Sequence, residues 1–254
     1  MQPHGTLIAF APPRLSVVVP AYNEAERIAP TLRAIGAWRR AQAFEVEVLV
    51  VDDGSTDATV AVAEGLSQEV GGLRVLTGEP NQGKGHAVAR GMRAARGRVR
   101  LFLDADGSTP IDEAGRLLDA IREGSDVAIG SRRVPGSAMA AKPPWYRRLW
   151  SRIANRVVRA GLLEGIHDTQ CGFKAFSARA AAAVFGRVRT SGWGFDLEAL
   201  AIARRLGFSI AELPVRWSDD RRSRVKLSDA WRITREFLRI RRAVLSGAYD
   251  EIPA

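Results

Sequence analysis

One cysteine and three histidines in 254 residues exclude several kinds of chemistry. A single thiol, Cys171, cannot close an intramolecular disulfide or supply a cysteine-only zinc site, and scattered histidines do not make a His-rich metal centre. Long apolar runs are also missing. The run Leu7 to Ala11 stops at Pro12-Pro13, too short for a secretory segment and without a basic leader. Nothing approaches the roughly 20 apolar residues of a membrane span. The expectation is therefore a cytoplasmic chain that does not cross the bilayer. No internal repeat or low-complexity tract interrupts it.

What the chain has in excess is positive charge, +10 at neutral pH, and that charge is concentrated. Lys142 to Arg159 holds six basic residues and no acidic one, and Arg216 to Arg242 holds ten basic against four acidic. In the first, Trp145, Leu149, Ile153 and Val157 recur every four residues beside Arg148, Arg152, Arg156 and Arg159. In the second, Ile233, Phe237, Ile240 and Val244 form an apolar face against Arg232, Arg235, Arg239 and Arg242. Basic amphipathic helices of this kind suit the interface of an anionic membrane. They equally suit packing on a core with a solvated basic face.

The first half alternates apolar runs with helical patterns. Strands are predicted at 15–19, 46–51, 73–76, 99–103 and 126–129, with helices at 24–41, 58–69, 85–95 and 111–123. Asn23 and Glu26 read as a capping box for the first helix. Continuous apolar strands separated by helices predict a mainly parallel α/β sheet covered on both faces. Pro20 to Glu24, Asp52-Asp53, Asp104/Asp106 and Gly130-Ser131-Arg132 all follow the carboxyl end of a strand, the edge where open α/β sheets bind ligands. Asp104 and Asp106, read as continuing the strand, share a side and can offer oxygens to one hard cation. Beyond Ser131 the alternation breaks. A helix is expected from Trp145 to about Leu163 and a Ser228-capped basic helix to about Leu245. Asp168 to Phe176 reads as a polar stretch, Gly192 to Asp196 as glycine- and aromatic-rich, and Gly247 to Ala254 as a frayed tail.

Seven ordered motifs then resemble a known family: Val17-Val18-Val19-Pro20-Ala21-Tyr22-Asn23-Glu24, Val51-Asp52-Asp53-Gly54-Ser55, Asn81-Gln82-Gly83-Lys84-Gly85, Asp104-Ala105-Asp106, Ile129-Gly130-Ser131-Arg132, Asp168-Thr169-Gln170-Cys171-Gly172-Phe173-Lys174 and Gly194-Phe195-Asp196-Leu197-Glu198. Together they resemble family-2 glycosyltransferases with a GT-A (Rossmann-like) fold, in the branch that moves a sugar from a nucleotide onto a polyprenyl phosphate. The resemblance implies an N-terminal extension (1–14), a GT-A domain (15–225) containing an acceptor-side amphipathic helix (142–165), and a C-terminal amphipathic helix and tail (226–254). It implies a nucleotide-sugar pocket of Pro20, Ala21, Tyr22, Glu24, Asp53, Lys84, Asp104, Ala105 and Asp106, with Mg²⁺ or Mn²⁺ on Asp104 and Asp106. Where mannosyl members often place a glutamine ligand, this chain has Ser108. The Asp168–Phe173 motif favours the glucosyl-type branch and a UDP-sugar.

The implied reaction is inverting and metal-dependent, with a polyprenyl-phosphate acceptor at the inner face of the cell membrane. Such an acceptor is already anionic and needs cationic positioning more than a base. Arg132 is the first candidate, with Arg148 and Arg224 next. Asp168 is a candidate to orient the acceptor or act as base, Asp196 and Glu198 to sit near it or simply to open a helix. The alternatives are a GDP-mannose donor, a soluble or polysaccharide hydroxyl acceptor, and, from a different class, a nucleic-acid-binding module permitted by the pI of 10.8. The basic segments carry no recognised nucleic-acid motif.

Overall fold

The computed structural model describes residues 14–78, 80–139, 162–218 and 230–251. The expected helix at Trp145–Leu163 (except its last two positions), Arg148, Arg224, Ser228 and the N-terminal extension apart from Arg14 lie outside the described residues.

Two runs of β-branched residues form the centre of the sheet. β1 (Leu15–Ala21) and β2 (Val46–Asp52) are buried throughout, as strands covered on both faces must be. β3 (Leu73–Leu76), β4 (Val99–Leu103), β5 (Val127–Ser131), β7 (Phe173–Ser177) and β8 (Ile210–Pro214) complete seven strands in the order β3-β2-β1-β4-β7-β5-β8. Short strands β6 (Ala138–Met139) and β9 (Arg216–Trp217) pair separately. All pairings in the large sheet are parallel except those of β7, which runs antiparallel between β4 and β5.

The period-2 alternation of each strand divides the core. Val18, Leu49, Phe102, Ile129 and Phe176 face α4 (Lys84–Ala94), α6 (Ala178–Phe185) and α7 (Phe195–Arg205). Val17, Val19, Val48, Val50, Leu101 and Phe173 face α1 (Ile28–Arg40), α2 (Thr59–Gly65) and α5 (Ala114–Arg122). A one-turn helix, α3, spans Ser67–Val70.

Four expectations change. β7 was expected as a polar stretch; it is a buried strand, because the Lys174 side chain is satisfied internally. The Asn23/Glu26 capping box does not form. The helix opens at Ile28 without a side-chain cap, and Asn23, in the left-handed region (φ 53°), accepts a hydrogen bond from the Thr56 amide instead. The last helix, α8 (Ala230–Leu245), forms, but Phe237 and Ile240 of its apolar face are buried in the core, with Val244 packed beside them. That stripe is therefore closed to a membrane, and Leu238, Leu245 and the exposed arginines Arg235, Arg241 and Arg242 face outward instead. Nor is the start of the tail frayed. Tyr249 is 2% exposed and its hydroxyl donates to Glu198 at 2.6 Å.

Tyr249→Phe removes that donor and strands a buried carboxylate oxygen. A loss of about 1–3 kcal/mol is expected, measured by urea unfolding.

Candidate active site

The carboxyl ends of β1, β2, β4 and β5 meet at one edge. After β1, Tyr22 is exposed and the Glu24 carboxylate is held by Arg27 (2.7 and 2.5 Å). After β2, Asp52 accepts from the amides of Gly54 and Ser55, folding its own turn. Asp53, expected at the nucleotide, accepts from the Gln82 and Gly83 amides with its two oxygens (3.0 and 2.8 Å). It thereby pins the loop that carries Lys84 at the start of α4.

The two expected metal-binding aspartates lie past the end of β4, in a turn rather than in a strand. The Gly107 amide donates to the Asp104 carbonyl, with Gly107 at φ 66°, and the Thr31 hydroxyl holds the Ala105 carbonyl at 2.8 Å. The strand rule that would put both carboxylates on one side does not apply here. Asp106 accepts from the Ser108 amide and borders a cavity of about 260 Å³ with Thr31, Thr109 and Asp112. Asp104 instead lies flat on the backbone of Gly172. A Cβ at Gly172 would come within 2.5 Å of both its oxygens, so any side chain there must displace the carboxylate. Lys84 Nζ stands 2.5 Å from Asp104 Oδ1, yet that buried oxygen has no aligned hydrogen bond, so the pair is ionic contact without directional bonding. Burial would lower the Lys84 pKa, but Asp104, Asp196 and Asp106 raise it and keep the ammonium charged. The donor set is hard oxygen, and an Asp104 oxygen lacks an aligned donor. It fits a small divalent cation completed by other oxygens. Among the described residues no group of three or more acidic, His or Cys side chains forms a full cage.

Across the edge, Arg132 follows β5 and grips Asp168 bidentately, Nε to Oδ2 at 2.7 Å and Nη2 to Oδ1 at 2.8 Å, while its amide donates to Oδ2. Its guanidinium also stacks over Trp217 at 5.2 Å. Burial would raise the Asp168 carboxyl, but the Arg132 side chain and amide bring it down to about 2. Of the two expectations for Asp168, this pairing supports orientation over general-base action. Both of its oxygens are occupied by Arg132, which makes it a weak base and holds the guanidinium in place. Glu212, which the sequence reading did not single out, fixes this segment by accepting from the amides of His167 and Asp168.

Beneath the site, Lys174 is fully buried and donates to the Cys171 carbonyl (2.6 Å) and to Asp196. Burial pushes the Asp196 carboxyl up against the pull of Lys174 and Lys84. Glu198 accepts from the Arg189 and Thr190 amides and from Tyr249. Asp196 and Glu198 are thus interior anchors of α7. Gly172 and Lys174 were visible only as members of a motif and Trp193 only as part of a glycine- and aromatic-rich stretch, because nothing in their spacing announces what each will touch.

The family model for glycosyl transferase family 2 matches residues 16–185. The chain belongs to glycosyl transferase family 2. Dolichyl-phosphate beta-glucosyltransferase of Homo sapiens is 34% identical over 250 residues, covering 93% of this chain and 77% of that protein. The Drosophila melanogaster protein of the same name is 38% identical over 218 residues (81% and 67%). Glucosyl-3-phosphoglycerate synthase from Mycobacterium tuberculosis, solved with Mn²⁺, UDP-glucose and phosphoglyceric acid, superposes with a TM-score of 0.67 at 20% identity, covering 95% of this chain and 81% of that one. That likeness establishes the GT-A fold. The chain is therefore a hexosyltransferase of that family.

Gly172→Ala displaces the Asp104 carboxylate. Since an ångström of misplacement costs roughly 100-fold in rate, turnover is expected to fall by about that factor with thermal stability little changed. A second prediction concerns acid. The Asp168 contribution is fully present above its unfolded value of 3.8 and is lost as pH falls toward about 2, a change of about 2 kcal/mol. Urea midpoints of wild type and Asp168→Asn should converge as pH is lowered from 5 to 2. A gap independent of pH contradicts the pairing.

Proposed function

We propose that this glycosyltransferase moves glucose from UDP-glucose onto a polyprenyl phosphate of the dolichyl type, with inversion, at the inner face of the cell membrane. The curated relatives support the acceptor and the sugar. The observation that carries the reading is the state of Asp168. The acidic side chain facing the Arg132 side of the site is held as a fully ionised partner of arginine, with a pKa of about 2. A hydroxyl acceptor requires a base to take its proton. A phosphate monoester, with a second pKa of about 6, arrives with its nucleophilic oxygen already ionised.

The residues then divide the work. Asp168 accepts two of the five N–H donors of the Arg132 guanidinium, leaving the others to bind the acceptor phosphate. Arg132 also neutralises the repulsion between two phosphorylated substrates. Asp104 and Asp106 would hold a Mg²⁺ or Mn²⁺ ion, which supplies Lewis-acid stabilisation of charge on the leaving diphosphate. Lys84, kept charged by its acidic neighbours, adds a second cation on that side. Tyr22, Pro20, Ala21 and Glu24, with Asp53 behind them, form the nucleotide end of the edge. No helix among the described residues is long and apolar enough to cross a membrane. The outward face of α8, with Leu238, Leu245 and its arginines, is the proposed contact with anionic lipid.

The test is a panel of nucleotide sugars incubated with a short polyprenyl phosphate and Mn²⁺, read by product mass. A hexosyl phosphate from UDP-glucose is expected, and turnover by Asp104→Asn reduced roughly 100-fold or more. Transfer to a sugar hydroxyl but not to the lipid phosphate would overturn the acceptor assignment. Full activity of Asp104→Asn would overturn the metal assignment.

A further inference from the structure

Among the described residues four large apolar side chains are exposed: Tyr22, Trp193, Leu238 and Leu245. The two leucines lie on α8. The two aromatics both border the sheet-edge site. Trp193, immediately before α7, is 41% exposed. The Lys84 ammonium lies 4.9 Å from its ring centroid and 2.5 Å from Asp104 Oδ1. One nitrogen therefore joins the indole to the carboxylate that the proposed donor diphosphate and its cation would meet.

The backbone that carries the indole is packed on both sides. The Gly85 amide donates to the Ser191 carbonyl at 2.7 Å, and a Cβ on Gly85 would meet the Thr190 carbonyl and come within 2.6 Å of Phe195 Cβ. On the other side the Glu236 carboxylate of α8 lies so near Gly192 and Gly194, which flank Trp193, that a Cβ on either would come within 3.0 Å of it. The Thr190 amide is tied to Glu198 and its hydroxyl to Arg239. A tryptophan on a packed backbone segment, with the Lys84 ammonium over its ring, needs little backbone ordering when a ligand covers it.

The ligand that fits is a pyranose. Its hydroxyls lie on the rim and its C–H groups on the faces, so a flat indole takes one face out of water while the rim remains free to hydrogen-bond. In a nucleotide sugar the hexose lies next to the diphosphate, and Trp193 lies next to the Lys84–Asp104 pair. The nucleotide end would then fall toward Tyr22. We propose that Trp193 is the platform on which the transferred hexose rests, and that it accounts for the difference in affinity between the sugar nucleotide and the nucleotide alone. The proposal rests on the donor site proposed above.

Calorimetric titration of UDP and UDP-glucose in Mn²⁺ tests it. In Trp193→Ala, and in Trp193→Leu, which keeps apolar bulk without a flat face, UDP-glucose binding should weaken about tenfold while UDP binding stays within about twofold. Trp193→Phe should retain most of the affinity. Tryptophan fluorescence of the wild type should respond to UDP-glucose beyond its response to UDP, and that excess should vanish in Trp193→Phe. Equal weakening of both nucleotides, or of neither, overturns the platform and leaves the donor site standing. A wild type that binds neither nucleotide overturns the donor site itself, and the platform with it.

Discussion

A fully buried ammonium sits at the hub of this structure. Lys174 lies on the one antiparallel strand, between β4 and β5, with no exposed surface and two acceptors, the Cys171 carbonyl and the Asp196 carboxylate. Removing either partner of such a pair leaves an uncompensated charge in the interior, a cost of about 3–5 kcal/mol. The pair therefore fixes two things at once. It sets the height of β7, hence the position of Gly172 under Asp104, and it fixes the first turn of α7, hence the Gly192–Gly194 segment that precedes it.

Three acidic side chains at or beneath the edge are paired with a cation: Asp104 with Lys84, Asp168 with Arg132 and Asp196 with Lys174. These pairs differ in what they leave available. Asp196 is enclosed. Asp168 spends both oxygens on arginine and becomes a very weak base. Asp104 alone meets its partner without directional hydrogen bonding and keeps an oxygen that a better-placed cation could claim. A site with available carboxylate oxygen on Asp104 and Asp106 for a cation, and two partly available cations in Lys84 and Arg132, suits anions on both sides of the reaction. That is the physical basis for reading the acceptor as a phosphate.

The C-terminal helix belongs to this arrangement through its buried side. Phe237 and Ile240 join the core, Arg239 reaches Thr190, and Tyr249 reaches Glu198. The segment these contacts steady is the one against which the Lys84 loop packs. A helix that is proposed to meet lipid with its outer face is thus mechanically continuous with the donor side of the site.

The parallel sheet and the edge that gathers the candidate residues were legible in the sequence, because apolar β-branched runs must be covered on both faces and the turn residues after them mark the edge. The motifs also named Asp104, Asp168, Arg132 and Lys84. Their partnerships were not legible. Arg132 and Asp168 are 36 positions apart, Lys174 and Asp196 are 22 apart, and Tyr249 is 51 from Glu198. Lys174 even hid its own strand, since a lysine reads as solvent until its acceptors are known. By itself the sequence determined which local segments become strands and helices, since periodicity acts over neighbouring residues. Only the tertiary structure decided which carboxylates are spent and which remain available, because burial and charge pairing arise where distant segments meet.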